Sequence, residues 1–295
     1  MLKRFLPFTI LCLSTVFLIS CEISNSSADS SANTEKQTRT LIDAQDNEVQ
    51  IPEQAERIIA PYLEDYLIAL EEKPVAQWTV GEGQIQEYLQ DDLKEIPTIN
   101  FDLPYEDVLN FEPDLLLIES DATVEGGKYE EYEKIAPTYV VKNGEDVPWE
   151  ERLEDLGQVF DKKEQAQEVE ANYQEDVQQA QDDLQDKIDG NSAAVIWITN
   201  NSAFMVAQDR SSGRLLYEDL GFEVPELTQE ISEDAQADWT QVSLESLSQL
   251  DADYLFLVNS DEGAEMFDDP LWNNIPAVEN EQLFEFGPDS SWLYN

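Results

Sequence analysis

The same helix-to-strand pattern occurs twice in this chain. The first copy is LPYEDVLNFEPDLLLI at residues 103–118, and the second is VSLESLSQLDADYLFLV at residues 242–258. In each copy a glutamate, Glu106 or Glu245, stands eight positions before an aspartate that opens an apolar run. An apolar run of this length is typical of a strand buried on both faces of a parallel sheet. The repeat therefore predicts two similar α/β halves.

Strand and helix patterns alternate along the chain from about residue 55, which indicates parallel sheets flanked by helices. The length of 295 residues also favours two lobes, because one domain typically has roughly 100–200 residues. Strands are predicted at 57–60, 73–78, 114–118, 138–142, 193–199, 253–258 and 282–286, and helices near 62–72, 105–111, 129–135, 211–221, 243–249 and 267–275.

Residues 161–189 contain neither glycine nor proline, and their apolar residues recur every three or four positions from Ala166 to Ile188. This spacing predicts one nearly straight helix, which at about 1.5 Å per residue reaches roughly 40 Å. Since it lies between the two copies of the repeat, we expect it to connect the two lobes.

The N-terminus has the features of a lipoprotein export signal. Lys3 and Arg4 precede an apolar stretch at residues 5–19, which is shorter than the ~20 residues of a membrane span. The stretch ends in LISC at residues 18–21, which resembles the lipobox of bacterial lipoproteins. We therefore predict lipidation of Cys21, with an ordinary secretory signal and a chance cysteine as the alternative.

The residues after Cys21 are polar, small and aperiodic, as in a flexible tether. The predicted organisation is a signal peptide at 1–20, a lipid anchor and tether at 21–40, an N-terminal α/β lobe at 41–160, the connecting helix at 161–189 and a C-terminal α/β lobe at 190–295.

The 65 acidic and 16 basic residues give a formal net charge of −49. Nucleic acid is not expected as a partner, because phosphate binding needs a basic face. A halophile-like acidic surface keeps a protein soluble and monomeric in brine or alkaline water, and the alternative is a generic solvated acidic surface. Equal stability in dilute buffer and in concentrated salt would argue against the brine hypothesis.

Histidine is absent from the sequence. This excludes imidazole-based metal and haem sites and Ser-His-Asp or Cys-His catalytic units. The sequence also has no G-x-S-x-G, H-E-x-x-H or P-loop motif. We therefore predict no catalytic residues, no protein-bound metal and no resident cofactor.

Seven segments, taken in order, resemble bacterial iron-siderophore ABC-transporter substrate-binding lipoproteins. They are RIIAPYLEDYLIALEEKPVA, YEDVLNFEPDLLLI, YEEYEKIAPTYVV, LGQVFDKKEQAQE, GRLLYEDLGFEVP, VSLESLSQLDADYLFLV and DPLWNNIPAVENEQLFEF, within residues 40–295. The resemblance implies two Rossmann-like lobes joined by one long helix, with a ligand cleft between them.

The resemblance also implies a function. The chain would be lipid-anchored on the extracytoplasmic face of the cell membrane, where it captures a ferric siderophore and delivers it to an ABC permease. Cobalamin or another bulky chelate is the alternative ligand, and a secreted lipoprotein enzyme is a less favoured alternative function.

Two departures from the family pattern matter. The family usually has one more helix after the stretch matching SSWLYN, which leaves open whether the C-terminal lobe is truncated after Asn295. The loop ESDATVEGGK at residues 119–128 is acidic, which leaves the chelator open among hydroxamate, carboxylate and catecholate types.

By resemblance, Glu106 and Glu245 correspond to the acidic residues with which each lobe contacts arginines of the permease. Such charge pairs set the register and rate of docking more than its affinity. The alternative is that each carboxylate only favours the start of its own helix.

Ligands of α/β lobes bind at the carboxyl ends of the strands, so residues there are the ligand candidates. They are Tyr62, Trp78, Trp197, Asn200, Phe204, Arg210 and Trp292. Aromatic walls and a guanidinium group suit bulky, often anionic chelates. The alternatives are core packing for the aromatic residues and a surface ion pair for Arg210.

Overall fold

The computed structural model describes residues 37–81, 83–144, 147–233, 235 and 237–294. The predicted signal peptide, the lipidation site Cys21 and the tether up to residue 36 lie outside these residues. Within the described ranges, no helix combines the length and apolar composition of a membrane span.

The first lobe contains a sheet of five parallel strands. Their order is β5 (Thr98–Asn100), β4 (Pro74–Thr79), β3 (Ile58–Ile59), β6 (Leu115–Ile118) and β7 (Thr138–Val140). The helices of this lobe are α1 (Glu64–Ala69), α2 (Gln90–Leu93), α3 (Tyr105–Asn110), α4 (Lys128–Glu133) and α5 (Trp149–Val159).

Strand β6 explains why the first copy of the repeat ends in an unbroken apolar run. Leu115 and Leu117 belong to one hydrophobic cluster, whereas Leu116 and Ile118 belong to another on the opposite face of the sheet. All four side chains are fully buried. A strand covered on both faces has no position for a polar residue.

A hairpin of β1 (Thr38–Ile42) and β2 (Glu48–Pro52) precedes the first sheet. The sequence patterns did not predict it, because only Val49 and Ile51 carry its buried face. The hairpin overlaps the range predicted for the tether at residues 38–40.

The sheet of the second lobe is mixed. Its strand order is β10 (Trp239–Val242), β9 (Ser202–Val206), β8 (Ala193–Thr199), β11 (Tyr254–Asn259) and β12 (Leu283–Phe286). Strands β8, β11 and β12 are parallel as predicted, but β9 and β10 are antiparallel additions. Asn200 and Asn201 both have positive φ, which is the geometry of a tight hairpin turn.

Short helices cover this second sheet. They are α7 (Ser211–Arg214), which continues as one π-helical segment at Leu215–Leu220, α8 (Glu226–Glu233), α9 (Leu244–Leu247) and α10 (Pro276–Glu279). The helix predicted near 267–275 is instead two 3-10 turns, Glu265–Asp268 and Trp272–Asn274.

Helix α6 (Lys163–Ile188) has 26 residues and contacts both lobes, as predicted for the connecting helix. It packs closely on α5, since a Cβ atom at Gly157 would lie 2.9 Å from the Cβ of Ala166. Toward the second lobe, Tyr173 donates a hydrogen bond to Asp219 Oδ2 at 2.6 Å. Ile188 joins the core of that lobe.

The aspartates of the two repeat copies have the same structural role. Asp114, before β6, accepts hydrogen bonds from the backbone N–H groups of Glu56 and Arg57, at 3.1 and 2.9 Å. Asp253, before β11, accepts from the backbone N–H of Ser192 at 2.8 Å. Each carboxylate thus fixes the start of the neighbouring central strand, β3 or β8.

Candidate functional site

The carboxyl ends of the first sheet form an aromatic wall. Tyr62 follows β3 and Trp78 lies near the end of β4, with their ring centroids 5.4 Å apart. Both side chains line a pocket of about 320 Å³, here called the lobe-1 pocket. It is lined by Pro61, Tyr62, Trp78, Phe101, Ile118, Glu119 and Thr123. The structure therefore brings two of the predicted ligand residues together.

Tyr62 has an unusual backbone for an aromatic residue, with a φ of 65°. The left-handed conformation costs an L-amino acid roughly 1–2 kcal/mol, and such residues concentrate at functional sites. Burial, reinforced by the negative charge of Asp238, raises the pKa of the Tyr62 hydroxyl. Tyr62 is therefore a neutral phenol that can donate a hydrogen bond.

The second lobe contacts this wall through Tyr294. Its ring stacks on Tyr88 with centroids 5.1 Å apart and meets Tyr62 edge-on at 6.3 Å. The Tyr88 hydroxyl in turn donates to Asp65 Oδ2 at 3.0 Å. Aromatic contacts thus join the two lobes next to the lobe-1 pocket.

Arg210 lies on the side of the second lobe that faces Tyr62. It immediately precedes α7, its side chain is 21% exposed, and its Nη1 lies 3.8 Å from Asp238 Oδ1. Asp238 acts on the pKa of Tyr62, so this ion pair is close to the aromatic wall. The position suits the predicted ligand contact, which stays a prediction.

Three of the six arginines in the chain have contacts or charge effects near the two pockets, although arginine is scarce in this sequence. Besides Arg210, these are Arg152 and Arg214. Burial raises the pKa values of Tyr62 and Tyr66, and the positive charge of Arg152, on α5, opposes part of this rise. Arg214 Nη2 lies 3.3 Å from Glu150 Oε1, an ion pair between the lobes. The sequence patterns did not identify Arg152, because only tertiary packing brings α5 to the cleft.

A second pocket of about 480 Å³, here called the inter-lobe pocket, lies between α1, α5, α6 and α7. Its lining combines aromatic rings, hydroxyl groups and charges, and includes Asp65, Tyr66, Trp149, Tyr173, Ser211, Arg214, Asp219 and Trp292. Trp292 also stacks on Phe256 of the second sheet, with centroids 5.0 Å apart.

The other predicted ligand residues make their contacts within the second lobe. Trp197 lies 5.4 Å from Phe204 between ring centroids, and its Nε1 donates to Ser260 Oγ at 3.0 Å. Both rings are half-buried. Asn200 is exposed in the turn between β8 and β9. The ring contacts of Trp197 and Phe204 among the described residues do not include Tyr62 or Trp78, although Trp197 also meets Trp239 at 6.0 Å.

Glu106 and Glu245 are both exposed near helix starts, and within the described ranges neither carboxylate forms an ion pair. At α9 the cap is provided by Ser243, whose side chain accepts from the backbone N–H of Ser246 at 3.1 Å. Beside Glu106, the apolar side chains of Tyr105 and Leu109 are 39% and 54% exposed.

Among the described residues, no group of three or more carboxylate, cysteine or histidine side chains is placed to hold a metal ion. The arrangement can instead bind a bulky organic group through apolar contact, phenol hydroxyls and guanidinium groups.

A family model described as "Periplasmic binding protein" matches residues 65–290. The chain is 26% identical over 188 residues to the "Iron(3+)-hydroxamate-binding protein FhuD" of Bacillus subtilis (strain 168), covering 62% of this chain and 58% of that relative. It is 25% identical over 311 residues to the "Iron(3+)-hydroxamate-binding protein YxeB" of the same organism, covering 100% of this chain and 92% of YxeB.

Among solved structures, "The FhuD protein from S.pseudintermedius" matches with a TM-score of 0.69 and 18% identity. The match covers 86% of this chain and 91% of that one. At this level of identity, the likeness establishes a shared fold.

Proposed function

The chain belongs to the periplasmic binding protein family, and from that premise we propose that it captures a ferric siderophore outside the cytoplasm and delivers it to an ABC permease for iron uptake. Family membership makes the chain a substrate-binding protein rather than an enzyme.

The observation that carries the ligand class is the pairing of an aromatic wall with guanidinium groups across one cleft. The Tyr62 and Trp78 rings line the lobe-1 pocket, and the Arg210–Asp238 ion pair of the second lobe is near enough to Tyr62 for the charge of Asp238 to affect the pKa of that phenol. Aromatic rings supply contact area for a bulky chelate, and guanidinium donors match its oxygen atoms. Two relatives are named iron(3+)-hydroxamate-binding proteins, so a ferric hydroxamate is the proposed first ligand.

The iron would arrive already enclosed by its chelator, so the proposal assigns no metal ligand to the protein. The chain has no histidine to offer one. Recognition then depends on the outer surface of the chelate, which the residues of the cleft contact.

Delivery requires a surface that the permease can recognise in both lobes. Glu106 and Glu245 are proposed for this role, because they are exposed, occupy equivalent helices and form no ion pair within the described ranges. The exposed rings and methyl groups beside Glu106 would add apolar contact.

Attachment to the membrane is proposed to occur through a lipid on Cys21, with the folded lobes acting as a monomer. Radioactive fatty-acid labelling of the wild type and of Cys21→Ala tests the anchor. Size-exclusion chromatography of the chain lacking residues 1–21 tests the monomer, and a concentration-dependent dimer would contradict it.

Tryptophan fluorescence tests the ligand class. A ferric trihydroxamate should quench the emission of the wild type at micromolar concentration, whereas the iron-free chelator should quench it far less. Quenching by cobalamin alone would favour the alternative ligand. No quenching by ferric hydroxamate, carboxylate or catecholate chelates would contradict the proposal.

A further inference from the structure

One carboxyl group is buried directly behind the aromatic wall. Glu64 is the first residue of α1, and its side chain has no solvent exposure. Its Oε1 accepts a hydrogen bond of 2.6 Å from the backbone N–H of Trp78, whose ring lines the lobe-1 pocket. Its Oε2 finds no hydrogen-bond partner among the described residues. The carboxyl group is thus buried beside a residue of the pocket wall, and one of its two oxygens has no hydrogen-bond partner among the described residues.

We propose that Glu64 sets the charge preference of the cleft, so that an anionic ferric chelate binds with uptake of one proton from solvent onto the Glu64 carboxyl. This inference rests on the proposed function and adds a residue that selects among chelates by their charge. Glu64 does not line the lobe-1 pocket, but its carboxyl group is bonded to Trp78, which does, so an ionised Glu64 would repel an anion in the pocket across that residue. Protonation removes that repulsion.

The local environment makes this titration accessible near neutral pH. Burial raises the pKa of Glu64 from 4.5 to about 7, against an opposing effect of the backbone N–H groups of Trp78, Glu64, Tyr62 and Leu63. The chain has no histidine, the side chain that ordinarily titrates in this range.

Other charged or titratable groups face the same wall from the surrounding elements. They are Asp65 on α1, Tyr88 beside it, Arg152 on α5, Glu119 after β6, and Asp238 and Tyr294 from the second lobe. Burial also raises the pKa of Asp65, although the hydrogen bond from Tyr88 opposes this shift. Asp65 is therefore the group from which Glu64 must be distinguished.

The sign of the effect follows from the charge. Below about pH 7 Glu64 is neutral and an anionic chelate binds without repulsion, whereas above it the ionised carboxylate weakens binding. At an effective dielectric constant of about 20, repulsion across the wall corresponds to a loss of affinity on the order of tenfold. A chelate of the same size without net charge should show little change.

The test uses two ferric trihydroxamates that differ only by one terminal carboxylate. Dissociation constants are measured at about pH 6 and about pH 8.5 for the wild type, Glu64→Gln, Asp65→Asn and Glu95→Gln, an exposed carboxylate removed as a matched control. The wild type, Asp65→Asn and Glu95→Gln should lose on the order of tenfold in affinity for the carboxylated chelate at the higher pH. Glu64→Gln should lose less than about twofold.

The same loss in Glu64→Gln as in the wild type would overturn the inference, as would removal of the loss by Asp65→Asn alone. If neither chelate binds any variant at either pH, the proposed function fails instead. Calorimetry of the wild type at about pH 8.5, where Glu64 is ionised before binding, in two buffers of different ionisation enthalpy counts the protons taken up and needs no folded variant. Proton uptake with the carboxylated chelate alone supports the inference, and none with either chelate contradicts it.

Discussion

The two proposed walls of the ligand cleft lie on lobes that share the same helix-to-strand unit, but the side chains of the two walls differ in their chemistry. Asp114 and Asp253 fix equivalent strands in the two lobes by equivalent hydrogen bonds. Yet the first lobe presents the Tyr62–Trp78 rings over a buried carboxyl group, whereas the second presents the Arg210–Asp238 ion pair. The repeated unit therefore determines the shared strands and helices, and residues at or after the strand ends give each proposed wall its own chemistry.

This difference assigns a separate task to each wall. Apolar contact contributes roughly 25 cal/mol per Å² of buried surface and depends little on salt. A charge pair at the cleft edge steers and orients the ligand, and salt screens it beyond about 10 Å at 0.1 M. Changes in the two walls should therefore differ in their salt dependence as well as in size.

The largest expected effect concerns delivery rather than binding. Reversing both charges in Glu106→Arg/Glu245→Arg should abolish iron uptake by cells, because like charges on the two partners repel at both contacts. The affinity for the ligand should stay within about twofold of the wild type, since both residues lie outside the cleft. The measurements are uptake of radioactive iron and fluorescence titration of the purified protein.

The matched control is Glu95→Arg/Glu230→Arg, which reverses two other exposed glutamates, one in each lobe. Normal uptake by the Glu106/Glu245 variant would refute the docking role. If only one of the two single variants, Glu106→Arg or Glu245→Arg, reduced iron uptake, one lobe would dominate docking to the permease.

Trp78→Ala should weaken ligand binding by about 2 kcal/mol, or roughly thirtyfold, because it removes half of the aromatic wall. The loss should be nearly the same in low and high salt. Trp197→Ala is the corresponding change in the second lobe, where the ring packs on Phe204. If Trp197→Ala weakened ligand binding as much as Trp78→Ala does, both lobes would provide apolar contacts to the ligand, and the proposed difference between the two walls would be wrong.

The buried carboxyl of the first lobe should make stability depend on pH. Because folding raises the pKa of Glu64 from 4.5 to about 7, the unfolded chain releases this proton first as pH rises. Its contribution to stability is therefore present at low pH and lost as pH rises toward about 7. As the pH is raised from 5 to 8, the free energy of unfolding of Glu64→Gln should therefore increase by about 2 kcal/mol relative to that of the wild type.

Urea unfolding at the two pH values measures this gain, and Glu95→Gln controls for the loss of one negative charge. A gain that is the same at both pH values would show that Glu64 keeps an ordinary carboxyl pKa in the folded protein.

Arg210→Ala should weaken the binding of an anionic chelate by about tenfold in low salt, with a smaller loss in high salt. Lys134→Ala removes the same charge from an exposed pair on the surface of the first lobe and should have no effect. Salt-independent loss in Arg210→Ala would mean that the side chain acts through packing, contrary to the role assigned to the second wall.

The smallest expected effect tests whether Asp114 and Asp253 have the same structural role in the two lobes. Asp114→Ala and Asp253→Ala should each destabilise the protein by about 1–2 kcal/mol, since the first leaves two backbone N–H groups and the second one backbone N–H group without an acceptor. Urea unfolding measures both. A difference of several kcal/mol between them would show that the two positions are not equivalent.

The sequence predicts the parts of the fold in which local pattern and burial agree. Strand β8 has the predicted bounds of 193–199. Five of its seven residues are buried in the core, so the apolar run in the sequence coincides with the strand. The antiparallel β9 and β10 were not predicted, because their short mixed patterns do not specify a pairing partner. The adjacent asparagines Asn200 and Asn201 are the one local signal for this hairpin.

The site was less accessible to prediction. Tyr62 follows β3 and Trp78 lies at the carboxyl end of β4, where the rule for α/β sheets places ligand contacts, so both can be found from the sequence. Glu64, Arg152 and Asp238 cannot be found in this way, because their relevance depends on packing between elements distant in the chain. A buried carboxylate in an acidic sequence has no local signature.

The most direct test of the central claim is the position of the iron. Crystals of the protein with a ferric trihydroxamate should give one strong anomalous iron peak in the cleft, between the Tyr62–Trp78 wall and Arg210. The chelate should lie against both rings. An iron peak elsewhere on the protein, or a cleft without iron at saturating ligand, would contradict the account.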